Sequence, residues 1–162
     1  MRGTASKIIL SAVLSALGST GLAEQSCFSR SYSQAHLAAN PKQTVKTLSI
    51  RFEGPAHDGP STGEWGDVTV YFKADSRKFT QTLYCSTYAG ARHCGVECDG
   101  GSAALRWTNA DTLLLKTSGF IVSGGCDGTG EITRMVKDAG AETTTFRLNR
   151  AAMSACPPLD AQ

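Results

Sequence analysis

Five side chains that could serve in acid–base chemistry or binding lie in one turn-rich stretch, residues 54–67. This stretch is the longest of its kind in the chain and is rich in glycine and proline. Binding residues concentrate on loops held by a rigid scaffold, so it predicts a site for a ligand or partner. Spacing within a loop fixes no geometry, so no catalytic residue is assigned. The alternative is a hairpin loop whose tryptophan folds back over a sheet. The predicted site residues are His57, Asp58, Glu64, Trp65 and Asp67.

The densest run of metal-ligand side chains extends from His93 to Asp99 and contains Cys94 and Cys98. The gap between these cysteines is wider than in a zinc knuckle, and no second Cys/His pair has a matching spacing. We therefore interpret the cysteines as disulfide partners and predict neither a metal nor a cofactor. The glycine-rich segment 127–131 offers oxygen ligands but lacks the spacing of a calcium-binding EF-hand, which favours a simple turn.

The amino-terminal 23 residues have the order of a secretory signal. Arg2 and Lys7 precede an apolar run from Ile8 to Leu17, and a stretch of small and polar residues ends at Ala23. This order predicts cleavage after Ala23 and a single mature domain, residues 24–162, although a buried amino-terminal helix is the alternative. The apolar run is shorter than the ~20 residues that span a bilayer. We expect a periplasmic or secreted product with no membrane insertion after signal cleavage.

Charge argues against nucleic acid as a partner. The chain has 16 Lys and Arg against 14 Asp and Glu, and two of the basic residues, Arg2 and Lys7, lie in the predicted signal. The mature domain is therefore balanced, and a neutral domain has no overall electrostatic attraction to nucleic acid.

Short segments of alternating apolar and polar residues predict an all-β fold. They recur at short intervals with Gly, Asp or Asn between them, which favours antiparallel meander connections. We predict a closed barrel of about eight strands, because closure removes exposed edges, with a β-sandwich as the alternative. One short amino-terminal helix is expected over 33–40, capped by Ser33. The predicted strands are 45–52, 68–73, 79–85, 94–98, 103–108, 113–115, 120–122, 132–136 and 143–148.

All six cysteines follow the predicted signal, and exported thiols usually pair. Six cysteines allow 15 pairings. Chain order favours a bridge across a hairpin between Cys85 and Cys94, and one between Cys27 and Cys156 near the mature termini. Cys98 and Cys126 each precede Asp-Gly and form the third expected pair.

Several segments resemble a group of small, exported, cysteine-containing β proteins of bacteria, of proteobacterial type. The resemblance rests on residues 27–33, 35–37, 40–45, 94–101 and 146–148. It implies a periplasmic or secreted location and a compact β domain. It assigns no ligand and no catalytic residue.

Three functions are compatible with these features. The first is a non-catalytic, exported binding domain that takes a small apolar ligand inside the barrel or a protein at its loops. The second is an inhibitor of a cell-wall hydrolase or protease that acts through the 54–67 loop. The third is a hydrolase that uses His57 and nearby acids.

Overall fold

A computed structural model describes residues 25–55, 64–88, 91–122 and 132–159. The predicted signal, His57, Asp58 and Cys126 lie outside these residues. The described elements are β1 (Ser26–Ser31), α1 (Gln34–Ala39), β2 (Val45–Pro55), β3 (Glu64–Phe72), β4 (Asp75–Tyr88), β5 (Ala91–Gly95), β6 (Gly101–Asn109), β7 (Thr112–Val122), β8 (Arg134–Met135), β9 (Thr144–Arg150) and a 3-10 turn (Met153–Ala155).

Eight strands form a closed antiparallel barrel, so the predicted barrel is confirmed and the sandwich is not the fold. Strands β1 to β7 follow one another as neighbours, and β9 lies between β7 and β1. The closing pairing of β1 with β9 is short and joins Phe28 to Arg150 and Ser29 to Asn149. The two-residue β8 adds to the end of β7 at Ile121 and Val122.

The predicted amino-terminal helix is also confirmed, and it ends at its expected caps. The Ser33 hydroxyl accepts a hydrogen bond from the backbone N–H of His36, at 3.2 Å. At the other end, the backbone N–H of Asn40 donates to the His36 carbonyl. A helix this short depends on docking, and Leu37 is its buried residue.

The predicted strands 113–115 and 120–122 are wrong as separate elements, because both belong to β7. The pairing with β6 shifts between Ala103–Thr117 and Ser102–Gly119, which leaves Ser118 as the extra residue of a bulge. The Thr117 hydroxyl stabilises this bulge by donating to the Ser102 carbonyl at 2.6 Å and accepting from the Gly119 N–H at 2.8 Å. Strand β7 therefore continues through Ser118-Gly119, a residue pair that is typical of a turn.

Other strands also differ from the prediction: β8 is shorter than the predicted 132–136, and β4 is longer than the predicted 79–85. The strand predicted over 94–98 is β5, Ala91–Gly95, and Cys98 lies instead in a turn with a φ of 58°. Strand β1 was missed, because Cys27 and Phe28 are both buried and break the alternation of a half-buried strand. Phe28 packs inside the barrel, whereas Cys27 is buried by its bond to Cys156.

Inward side chains from all eight barrel strands form one hydrophobic cluster. Its members with essentially no exposed surface include Leu48, Ile50, Val68, Val70, Leu83, Leu113, Leu115, Phe120, Phe146 and Leu148. The opposite side chains of the same strands form what we call the outer wall.

Two of the three predicted disulfides are confirmed. Cys27 bonds to Cys156, and Cys85 bonds to Cys94, its direct partner in the β4–β5 register. Cys98 is disulfide-bonded as well, but Cys126 lies outside the described residues. Structural disulfides persist in oxidising compartments, so the bonds indicate a domain that matures outside the cytosol. Among the described residues, no helical segment has both the length and the hydropathy of a membrane span.

Candidate functional site

The turn-rich stretch 54–67 is a shorter connection than predicted. Strand β2 continues to Pro55 and β3 begins at Glu64, because the two strands pair as far as these residues. Glu64, Trp65 and Asp67 therefore belong to strand β3 rather than to a loop. The connection itself consists of residues 56–63, which contain His57 and Asp58 and are not described.

Asp67 lies on the outer wall in a structural network. It is 8% exposed, and the Thr82 hydroxyl donates to its carboxylate at 3.0 Å. Burial raises the pKa of Asp67, while the Thr82 hydrogen bond opposes this effect. Arg51, opposite Asp67 in the β2 register, is ion-paired with Glu53. Asp67 is thus held by the sheet and faces no described histidine, so the structure does not bring it together with a base.

Trp65 and two tyrosines form an aromatic part of the outer wall. Trp65 lies opposite Tyr84 in the β3–β4 register. Tyr84 is 51% exposed, and Tyr88, further along β4, is 77% exposed. Large exposed aromatic side chains are common anchors of protein interfaces.

One further pattern lies in the undescribed connection. Residues 59–63 spell Gly-Pro-Ser-Thr-Gly, which matches the Gly-x-Ser-x-Gly pattern of many hydrolases. In those enzymes the serine follows a strand and precedes a helix. Here the flanking elements are β2 and β3, two antiparallel strands. The match therefore lacks the structural context that the chemistry needs.

The end of the barrel at which β6 finishes is closed by three packed aromatic rings. Trp107 lies 5.7 Å from Phe52 and 6.2 Å from Phe28, centroid to centroid. The Arg92 guanidinium lies 4.7 Å from the Trp107 ring centre, and that of Arg150 lies 5.1 Å from the Phe28 ring centre. Cation–π contacts of this kind hold both arginines over the aromatic cluster.

A groove of about 720 Å³ opens beside this end of the barrel, and we call it the β6 groove. It arises because β5 pairs with β6 only as far as Leu105, while β6 continues to Asn109. Residues from both faces of β6 consequently border it. Its lining residues are Thr87, Ala91, Arg92, Ala104, Leu105, Arg106, Trp107, Leu114, Lys116 and Thr145.

Cations surround an apolar floor in the β6 groove. Leu114 is half-buried on the outer wall, and its partners across the sheet are Arg106 on β6 and Arg147 on β9. Lys116 lies two residues further along the same face of β7. Adjacent strands are about 4.8 Å apart, so three basic side chains start within one or two strand spacings of Leu114. None of the lining residues is acidic.

These cations have no internal partner. Within the described ranges, no hydrogen bond or ion pair joins the side chain of Arg106, Lys116 or Arg147 to another residue. All three are exposed. By contrast, Arg150 contacts Asp111 at 3.5 Å. The positive charge at the groove is therefore available to a ligand.

Sequence reasoning missed this groove for a clear reason. Leu113, Leu114 and Leu115 are all apolar, so the local pattern does not show which of them faces outward. Nothing local in the sequence shows that Arg106 of β6 and Arg147 of β9 flank Leu114, because those neighbours are set by the barrel register.

A second groove, of about 610 Å³, lies at the opposite end of the barrel. It is bordered by Phe72, Met135 and Asp75, among others. Asp75 is already paired with Arg77 at 2.5 Å and Arg134 at 3.3 Å, and Arg77 holds the pKa of Asp75 well below its usual range. The second groove thus contains an acid that is paired with two arginines, whereas none of the residues that line the β6 groove is acidic.

The cluster from His93 to Asp99 does not converge. His93 is exposed on the outer wall, whereas Cys94 is buried and bonded to Cys85. Among the residues that the structure describes, no three His, Cys, Asp or Glu side chains are grouped to hold a metal ion.

Comparison with known proteins adds no relative. No family model matches the chain. No curated protein and no solved structure matches it either. The resemblance to small exported bacterial proteins therefore stays a prediction, and arguments about function rest on the geometry described above.

Proposed function

We propose that this protein is an exported, non-catalytic binding domain whose ligand site is the β6 groove. The observation that carries the proposal is the half-buried Leu114 at the floor of a groove of about 720 Å³ beside Trp107. Small-molecule sites are concave, mostly apolar and a few hundred cubic ångströms in volume. An apolar ligand body fits the groove formed by leucine, alanine and tryptophan.

This proposal places the ligand beside the barrel rather than inside it. The described inward side chains contact one another in a single cluster. The β6 groove, by contrast, has an open side and a half-buried floor. The signal-like amino terminus and the disulfides support a periplasmic or secreted site of action.

A neutral fluorescent probe, N-phenyl-1-naphthylamine, tests the proposal. We expect saturable binding to the wild-type protein and about tenfold weaker binding to Leu114→Asn. Burial of a leucine side chain contributes about 1.5–3 kcal/mol, and 1.4 kcal/mol corresponds to tenfold. Met135→Asn is the matched control, because Met135 borders the second groove. Equal binding by wild type and Leu114→Asn, or no binding at all, would refute the assignment.

A second candidate function is inhibition of a cell-wall hydrolase or protease. The exposed Tyr84 and Tyr88 on β4 favour it, and Tyr84 lies opposite Trp65 in the sheet. The test is whether the protein protects a bacterial cell wall from added lysozyme and other hydrolases. We expect the wild-type protein to protect it and Trp65→Ala to lose this effect. Absence of protection by the wild-type protein excludes it for the enzymes assayed.

A further inference from the structure

We infer that the ligand of the β6 groove is an amphipathic anion: an apolar or aromatic body that carries a carboxylate, sulfonate or phosphate group. This inference rests on the proposed function and specifies its ligand class. It comes from the charge at the groove, which the apolar floor alone does not explain.

The first step of the argument is the imbalance of local charge. The mature chain as a whole has balanced charge, yet the groove is bordered by Arg92, Arg106 and Lys116 and by no acid. Arg147 adds a fourth cation across the sheet from Leu114. Like charges brought close together repel one another, so the unpaired side chains of Arg106, Lys116 and Arg147 favour an anion from outside.

The second step is the position of the charges relative to the apolar surface. Arg106 lies directly across the sheet from Leu114, and Lys116 lies two residues beyond it on the same face. A ligand whose body covers Leu114 therefore places its head group within reach of both side chains. Arginine and lysine donate charge-assisted hydrogen bonds to such anions.

The third step concerns the aromatic edge of the groove. Trp107 borders the groove, and the Arg92 guanidinium covers its ring at 4.7 Å. Because the guanidinium already covers this ring, a planar ligand body can stack on the guanidinium rather than on Trp107 itself, since guanidinium groups stack on aromatic faces. The groove thus combines a stacking surface with an anion-binding border.

Two probes with the same aromatic body separate the inference from the function on which it rests. The anion 8-anilinonaphthalene-1-sulfonate differs from N-phenyl-1-naphthylamine by its sulfonate group. We expect the wild-type protein to bind the sulfonate about tenfold more tightly at low salt, because two exposed ion pairs together contribute up to about that factor. The preference should shrink in 1 M salt, where the Debye length is about 3 Å.

Charge-neutralising variants locate the effect. Arg106→Gln/Lys116→Gln should lose the preference for the sulfonate, measured as the ratio of the Kd values of the two probes. Lys42→Gln/Lys46→Gln removes the same charge from exposed residues outside the groove and should keep the preference. In Trp65→Phe, Trp107 is the one remaining tryptophan, and energy transfer to the bound probe should persist.

The outcomes are distinguishable. Equal affinity for the two probes, or a preference that survives Arg106→Gln/Lys116→Gln, overturns the inferred anion while leaving the groove as a binding site. Failure of both probes to bind overturns the proposed function together with the inference. A preference lost equally in Lys42→Gln/Lys46→Gln overturns the inference, because it shows an effect of net charge alone.

Discussion

The disulfide bond between Cys27 and Cys156 should stabilise this domain more than the bond between Cys85 and Cys94 does. It closes a loop with a sequence separation of 129 residues, whereas the Cys85–Cys94 bond closes one with a separation of 9. A disulfide removes entropy from the unfolded chain in proportion to the logarithm of the loop length. This chain-entropy relation gives a stabilisation of about 5 kcal/mol for the disulfide that closes the long loop and about 2.7 kcal/mol for the one that closes the short loop.

Position in the barrel adds to this effect. The pairing of β1 with β9, which closes the barrel, joins Phe28 to Arg150 and Ser29 to Asn149. The bond from Cys27 of β1 holds the chain that follows β9, and the Ala151 N–H donates to the Cys27 carbonyl at 2.9 Å. Without this bond, we expect the β1–β9 seam to open before the rest of the barrel.

Two double variants test the reasoning by urea denaturation. All four cysteines are at most 5% exposed, so Cys27→Ala/Cys156→Ala and Cys85→Ala/Cys94→Ala lose comparable packing. The long-loop variant should be less stable than the short-loop variant by about 2 kcal/mol, which shifts the urea midpoint by about 1 M. Hydrogen exchange should rise first in β1 and β9. Equal midpoints, or greater loss in the short-loop variant, would refute the argument from loop length.

The remaining predictions concern single residues. Burial raises the pKa of Asp67, so its ionised form opposes folding; Asp67→Asn should raise the urea midpoint near pH 7 and leave it unchanged below about pH 3. The ionised form of Asp75 favours folding, because Arg77 lowers the pKa of this carboxyl group. Asp75→Asn should therefore lower the urea midpoint near pH 7, and the difference from wild type should shrink as pH falls below about 4. A midpoint that changes in the same direction in both variants would contradict these assignments. Gly101 and Gly140 both have positive φ, at 88° and 70°, but an added Cβ at Gly101 would lie 2.3 Å from the Gly119 carbonyl oxygen, whereas at Gly140 it meets nothing within 4 Å. Gly140→Ala should therefore cost about 1–2 kcal/mol and Gly101→Ala clearly more, as measured by thermal or urea unfolding; equal losses would show that the backbone relaxes around the Cβ at Gly101.

Local patterns in the sequence were enough for the class of fold and for much of its framework. Alternation of side chains in segments such as 45–52 and 103–108 predicted the strands, because one face of each is buried in the barrel. Ser33 before an alanine-rich segment predicted the capped helix. The position of Cys85 and Cys94 on either side of a short connection predicted their bond, since hairpin partners lie opposite one another.

Elements whose environment is set by distant residues were predicted less well. Strand β1 has two adjacent buried residues, Cys27 and Phe28, and the inward packing of Phe28 against the other strands hides the alternation that would have marked it as a strand. The bulge at Ser118 depends on hydrogen bonds from Thr117 to β6. Both features arise from tertiary contacts, which a local pattern does not contain.

The sequence by itself therefore determined a disulfide-bonded, antiparallel β domain with a short capped helix, because burial, capping and turn formation are local in origin. The tertiary structure alone decided how the barrel closes and where its surface can bind. Arg106, Leu114 and Arg147 are separated by up to 41 residues in the chain, and the register of β6, β7 and β9 places them side by side. Strand register joins distant residues into one surface, and that is why the groove is visible only in the folded molecule.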